Sequence, residues 1–183
     1  MPLKTLVKVG SLTNLSDARY CAGMDVQLLG FQAIPDRPGH ITAARYQEIR
    51  GWISGPSIVA ELHGAQSREQ VDSIVEGFRP DYLELGIAEV PYAAHLSLPF
   101  ILRLAPEDLY APINPAYVLV NADDPRSFDA PRIVQVFSQT EAETVLGFED
   151  VGGIALLGSE EVSPGLKTYD TLAPILEMLE TDN

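Results

Sequence analysis

Short apolar runs of strand length recur along this chain, and segments with helical spacing or helix-capping residues stand between most of them. This alternation constrains the fold more than any other feature. A strand followed by a helix returns the chain for a parallel strand, so repeated units of this kind build a parallel sheet. The apolar runs predict strands over Leu3–Val9, Val26–Phe31, Ser57–Leu62, Asp81–Leu85, Phe100–Leu104, Tyr117–Asn121, Arg132–Phe137 and Gly153–Leu157.

The intervening segments carry helix signals. Asn14 or Ser16 can cap a helix from Leu15 to Ala22, which Gly23 ends. Thr42 caps a helix running to Trp52. Ser67 caps the next, with Gln70 completing a capping box and Val71, Ile74, Val75 and Phe78 at helical spacing. Ala88–His95 reads as a short helix, Thr140–Leu146 as another, and Thr171–Leu179 as the closing helix with Pro174 in its first turn. About eight such units predict an α/β protein, a compact (β/α)8 barrel, with an open doubly wound sheet as the alternative. The chain has 183 residues, short for a fold that usually takes about 200–250, and the connections after the fourth to sixth strands look trimmed. No Gly- and Ser-rich linker divides the sequence, so residues 1–183 are expected to form one barrel domain.

Charge narrows the function. Twelve Lys and Arg stand against 26 Asp and Glu, a net charge of -14. Such a surface repels nucleic acid and anionic membranes, so neither is an expected partner. It also repels an anionic ligand at long range, and any anion site must be built locally. Cys21 is the single cysteine. No intramolecular disulfide can form, which suits a reducing cytoplasm. No apolar run reaches the roughly 18–20 residues of a membrane span, and the first residues lack a signal-peptide core, so a cytoplasmic location is expected.

The first strand runs into Lys8-Val9-Gly10-Ser11-Leu12-Thr13. This stretch resembles the opening Lys-(Ile/Val)-Cys-Gly-(Ile/Leu)-Thr of the phosphoribosylanthranilate isomerases. Asn14-Leu15-Ser16-Asp17-Ala18, Ala22-Gly23-Met24-Asp25 and Gly30-Phe31 follow in that family's order. Glu84-Leu85-Gly86-Ile87 stands where the family has Gln-Leu-His-Gly, and Glu61-Leu62-His63-Gly64 is a similar string one strand earlier. Glu161-Val162-Ser163-Pro164-Gly165-Leu166-Lys167 matches the family's Glu-x-x-Pro-Gly-x-Lys. The resemblance implies a (β/α)8 barrel and an aldose–ketose isomerase of tryptophan biosynthesis. It implies a small-molecule ligand of the phosphosugar kind, and no metal or cofactor.

The chemical positions depart from that pattern. The family's general-base cysteine falls on Gly10 and its general-acid aspartate on Asn121. An Amadori-type rearrangement needs both a base and an acid, and neither glycine nor asparagine titrates. The family's Gly-Gly phosphate loop falls on Ser138-Gln139, and its Ser-Gly-Val-Glu loop on Gly158-Ser159-Glu160-Glu161. Two glutamates there oppose a phosphate. The family's arginine falls on Gly39 or His40, with Arg37 slightly displaced. The expectation is therefore a relative whose standard activity is lost or altered, the alternative being a non-catalytic barrel that binds a small metabolite or a partner protein.

The candidate site residues follow from the strand count. Lys8, Glu61, Glu84, Arg103 and Asn121 should gather at the C-terminal ends of the strands, the ligand face of a barrel. Lys8, Glu61, Glu84 and Arg103 read more readily as a structural ion network than as a metal or proton-transfer site. His63, in the loop after the third strand, is the remaining acid–base candidate. Lys8, Ser11, Arg37, Glu61, Glu84, Arg103, Ser138, Gly158 and Ser159 are candidate ligand contacts, with Arg103 the best placed for an anion. Asn121-Ala122-Asp123-Asp124 reads as a solvated acidic turn, Cys21 as a packed small hydrophobe, and Lys167 as a loop cap.

Overall fold

The computed structural model describes residues 2–110, 113–158, 161–163, 166–167 and 172–181. Eight parallel strands close into a barrel in chain order: β1 (Leu6–Gly10), β2 (Leu28–Gln32), β3 (Ser57–Glu61), β4 (Tyr82–Leu85), β5 (Phe100–Arg103), β6 (Tyr117–Asn121), β7 (Arg132–Gln135) and β8 (Val151–Leu157). β8 pairs back onto β1 from Leu6↔Gly153 to Gly10↔Leu157. The open doubly wound alternative is thereby excluded.

Helices α1 (Leu15–Gly23), α2 (Ala43–Arg50), α3 (Arg68–Phe78) and α4 (Val90–Ala93) follow the first four strands. Helix α5 (Gln139–Val145) follows β7. A small antiparallel ribbon, β9 (Glu161–Ser163) with β10 (Leu166–Lys167), and then α6 (Leu172–Leu179) follow β8. No helix follows β5 or β6 among the described residues, which is where the trimming was expected. There Arg126 ties two loops together, donating to the carbonyls of Ala105 at 2.9 Å and Asp108 at 2.6 Å. Tyr110 meets Phe128 edge to face at 5.1 Å, and both cover Leu102, Leu104, Val118 and Val120. Asp124 is buried beneath Arg126 rather than solvated. None of the helices among the described residues is long and apolar enough to cross a membrane.

Strand alternation sorts the core into an inside and an outside. Leu28, Val59, Ile101, Leu119, Ile133 and Ala155 pack together within the barrel. The opposite faces, among them Val7, Val9, Leu29, Phe31, Ile58, Val134 and Ile154, pack under the helices. Tyr46 of α2 stacks on Phe78 of α3 at 4.6 Å and meets Phe31 of β2 at 5.1 Å, which locks that helical layer to the barrel. Cys21 is buried in this layer, where burial pushes its thiol up to about 12.

The boundaries differ from the sequence expectation for local reasons. β1 begins at Leu6, because Leu3 instead bridges antiparallel to Glu180 and Lys4 donates its amide to Leu179, tying the two ends of the chain together. Asn14, not Ser16, caps α1, accepting from the Asp17 amide at 2.9 Å. Asp25, at φ 56, makes the left-handed turn expected near Gly23. Gln70 reaches past the Ser67 amide to that of Gln66, at 2.8 Å. The helix expected over Ala88–His95 is reduced to α4, where Pro91 stands near the start. Residues Ser159, Glu160, Pro164 and Gly165 of the expected motifs lie outside the described residues.

The seam that closes the barrel leaves no room at Gly153. A β-carbon there would stand 2.6 Å from the Leu6 carbonyl oxygen and 2.9 Å from Leu6 Cβ. Gly153→Ala is therefore expected to destabilise the fold by about 1–3 kcal/mol. Urea denaturation of the purified variant measures it; an unchanged midpoint would mean that β8 can slide past β1.

Candidate active site at the barrel mouth

Above the apolar layers the barrel carries a buried ion network. Lys8 of β1 places its Nζ 2.7 Å from Glu61 Oε1 of β3 and 2.6 Å from Glu84 Oε2 of β4. On the other side of Glu84, Oε1 accepts from Arg103 Nε of β5 at 2.9 Å and lies 3.2 Å from His63 Nε2. Glu61 also accepts from the Ser11 amide at 3.1 Å and from the Ser11 hydroxyl at 3.2 Å. Arg103 reaches Gln135 Oε1 at 3.4 Å, and Gln135 donates to the Ala155 carbonyl at 3.0 Å. Lys8, Glu61, Glu84 and Gln135 are buried, whereas the side chains of Arg103 and His63 keep 34% and 28% of their surface exposed.

The network is held charged. Burial alone would raise the Glu84 carboxyl, but Lys8, the His63 hydrogen bond and Arg103 outweigh it and keep it well below its ordinary 4.5. Burial would likewise lower Lys8; Glu61 and Glu84 overcome it and lift the ammonium above its ordinary 10.5. Arg103 is raised in the same way, against its own burial, by Glu84. A lysine held so firmly protonated is no nucleophile. A carboxylate held so firmly ionised is no general acid near neutral pH.

Room for this network comes from two missing side chains. A β-carbon on Gly10 would stand 2.5 Å from Glu61 Oε1 and 2.7 Å from Lys8 Nζ, and one on Gly30 would meet the same two groups. Gly10 itself lies in β1 and is not among the residues with positive φ. The obstacle to a side chain there is thus steric rather than conformational. The left-handed residue is its neighbour Ser11, at φ 54.

The loops at the mouth satisfy their own amides, largely with the chain's own side chains. Glu89 accepts from Gly64 at 2.9 Å and Gly86 at 3.0 Å, bridging the loops after β3 and β4. Asp108 accepts from Ala105 at 2.7 Å and Asp124 from Arg126 at 2.9 Å. At the start of α5, Ser138 accepts from the Glu141 amide at 3.2 Å, and Glu141 turns back to the Phe137 amide at 2.7 Å. Gln32 takes the Ile34 amide at 2.9 Å, and the Gly158 amide donates to the Gly10 carbonyl at 2.8 Å. Backbone N–H groups of this kind are what a phosphate loop would offer.

The structure thus brings Lys8, Ser11, Glu61, His63, Glu84 and Arg103 together. Lys8 lies deeper than expected, two residues short of the end of β1. Asn121 ends β6 with its side chain exposed. Arg37 is exposed and its guanidinium lies against Gly64, beside His63. Ser138 is a helix cap, and Lys167 falls in β10. Sequence reasoning passed over Gly30, Glu89, Gln135 and Glu141. Only Glu141 had a signal: Ser138-Gln139-Thr140-Glu141 has capping-box spacing.

A closed parallel barrel with its polar cluster toward the C-terminal ends of the strands is a (β/α)8 barrel, the fold whose ligand face lies at that end. Among solved structures it has the fold of the phosphoribosylanthranilate isomerases. That of Thermus thermophilus superposes with a TM-score of 0.77 at 18% identity, over 95% of this chain and 98% of the other. That of Pyrococcus furiosus gives 0.71 at 13% identity, over 94% and 97%. KGPDC from Streptococcus mutans is more distant, at 0.58 and 12% identity, over 85% and 88%. No protein-family model and no curated protein sequence matches the chain.

The ion network predicts the pH dependence of stability. The Glu84 carboxyl is lower folded than unfolded, so its contribution is complete above about pH 4.5 and fades as pH falls through the depressed value. Lys8 behaves oppositely, contributing fully below about pH 10.5 and losing that contribution as pH rises through its raised value. Glu84→Gln should remove the acid limb and cost about 3–5 kcal/mol at pH 7, because Lys8 and Arg103 lose their shared partner. Urea titrations from pH 3 to 7 measure both; parallel acid limbs in variant and wild type would exclude Glu84 as the source.

Proposed function

We propose that this chain is a phosphoribosylanthranilate isomerase-like barrel that has lost the aldose–ketose isomerisation of tryptophan biosynthesis and binds a small metabolite at its mouth. The observation that carries this reading is the Glu61 carboxylate. It fills the space beside Gly10 where a catalytic side chain would have to stand. Neither Gly10 nor Asn121 can exchange a proton, and Lys8 and Glu84 are fixed in their charged forms. A phosphoribosylanthranilate isomerase has been crystallised with reduced 1-(o-carboxyphenylamino)-1-deoxyribulose 5-phosphate. A phosphate of that kind meets a poorer site here, because the Phe137 amide is already taken by Glu141.

A second reading, an enzyme with altered chemistry, is favoured by one contact. His63 is held on Glu84 at 3.2 Å with part of its ring open to the mouth. An imidazole oriented by a carboxylate is a working acid–base unit.

Two assays bear on the main reading. Freshly made phosphoribosylanthranilate loses its fluorescence on isomerisation, and the purified protein should leave that loss at the uncatalysed rate. It should also fail to restore growth to a tryptophan auxotroph lacking the isomerase. Turnover or growth would overturn the proposed loss.

The double variant Gly10→Cys with Asn121→Asp should remain inactive, although each restored group ordinarily contributes on the order of 10²–10⁴-fold. The new side chain at position 10 collides with Glu61 at 2.5 Å, so the variant should also lose about 1–3 kcal/mol of stability. Turnover with an unchanged denaturation midpoint would show that Glu61 readily moves aside.

A further inference from the structure

We propose that the mouth binds an amphiphilic monocarboxylate, its carboxylate held by Arg103 and His63 and its apolar body against Phe137 and Leu157. The proposal rests on the reading of the mouth as a binding site and names the class of ligand. The polar half of the argument is the shared anchor on Glu84. Arg103 and His63 contact the same oxygen, at 2.9 and 3.2 Å, from adjacent parts of the rim. Each is fixed from below and open above, with 34% and 28% of its side-chain surface exposed. Arg103 gives its Nε to Glu84 and one terminal nitrogen to Gln135 at 3.4 Å. The planar guanidinium has five donors, and those facing the mouth suit a planar carboxylate. Arg37 lies against Gly64 and adds a second guanidinium to this side.

The apolar half follows β7 and β8. Inward positions alternate along β7 and β8: Ile133 and Ala155 pack inside the barrel, and Gln135 faces Arg103. Two residues beyond Gln135 and Ala155, the same alternation sets Phe137 and Leu157 on the mouth. Gln135 and Ala155 are paired in register, and Phe137 and Leu157 each follow them by two residues at the C-terminal ends of neighbouring strands. They are 58% and 47% exposed. One exposed apolar residue is ordinary, but two on the ligand face of a barrel offer a surface for an apolar group. In the closed order β3 and β4 lie opposite β7 and β8, while β5, two strands from β7, brings Arg103 to Gln135. A ligand at the mouth therefore meets the donors of Arg103 and His63 on one side and apolar carbon on the other. Phosphate is the poorer occupant of the Phe137 end: the Phe137 amide serves Glu141, and Phe137 and Leu157 there are apolar.

The probe is 4-fluorophenylacetate, followed by fluorine NMR with the full-length protein. Saturable broadening is expected, with a dissociation constant of about a millimolar or tighter. The neutral 4-fluorobenzyl alcohol should bind roughly tenfold or more weakly, and so should the acid to Phe137→Ser and to Arg103→Gln. Phe137→Ser changes only an exposed rim position; if Arg103→Gln does not fold, Arg103→Lys keeps the charge, removes the fork, and should weaken binding likewise. No saturable binding by the wild type up to about 10 mM, or equal binding by the rim variants, would overturn the proposal. The isomerase assay separates the two readings. Ring-carboxylate binding together with turnover would support this site while overturning the loss of activity; absence of both would do the reverse.

Discussion

Two carboxylates buried side by side inside a barrel are tenable only if cations accompany them. Glu61 and Glu84 sit on paired residues of adjacent strands, and alone each would have to neutralise or leave. Lys8 lies between them at 2.7 and 2.6 Å, and Arg103 balances the outer oxygen of Glu84. The charges cancel in pairs, and the upper interior of the barrel is built around that cancellation. Its demand for space explains the two glycines: at Gly10 and Gly30 any side chain would compete with the Glu61 carboxylate and the Lys8 ammonium. Removing one partner leaves a buried charge uncompensated, which is the costly direction for such a network.

The same economy governs the rim. The net charge of -14 is not only a solvated surface. Glu89, Asp108, Asp124 and Glu141 accept backbone amides of the five loops after β3 to β7. An amide that already donates to a fixed carboxylate offers little to a ligand, and the carboxylate itself repels an incoming phosphate. The loops gain definition from these contacts and lose them as anion donors. What stays open at the mouth are side chains: Arg103, His63 and Arg37 on one side, Phe137 and Leu157 on the other.

Much of the fold was legible in the sequence, because βα alternation is a period signal that depends little on tertiary context. The strands came through to within three residues at their ends, and the missing helices after β5 and β6 were visible as trimmed connections. The gathering of Lys8, Glu61, Glu84 and Arg103 was readable from alternation, which puts every second strand residue inside. The role of Gly10 was not. Its steric constraint comes from Glu61, fifty-one residues away in sequence, and nothing local announces a side chain filling a neighbour's space. Glu89 was hidden for the same reason, since besides its own loop it caps Gly64 in the loop after β3, twenty-five residues away. Asp124 was misread as solvated because its partner Arg126 is buried against it only once two loops have met.

Position 10 and position 61 therefore change as a unit. A side chain at 10 requires Glu61 to withdraw. Withdrawal of Glu61 leaves the Lys8 ammonium with only Glu84, and leaves the Ser11 amide and hydroxyl without their acceptor. Restoring a catalytic group at the end of β1 is then not a local repair. It would require a new counter-ion arrangement across β1, β3 and β4, with a further partner for Ser11. The barrel tolerates its present arrangement because the network is complete, and its charges are also what remove Lys8 and Glu84 from proton transfer. Within the network, His63 and Arg103 are the side chains anchored by it and still open above it.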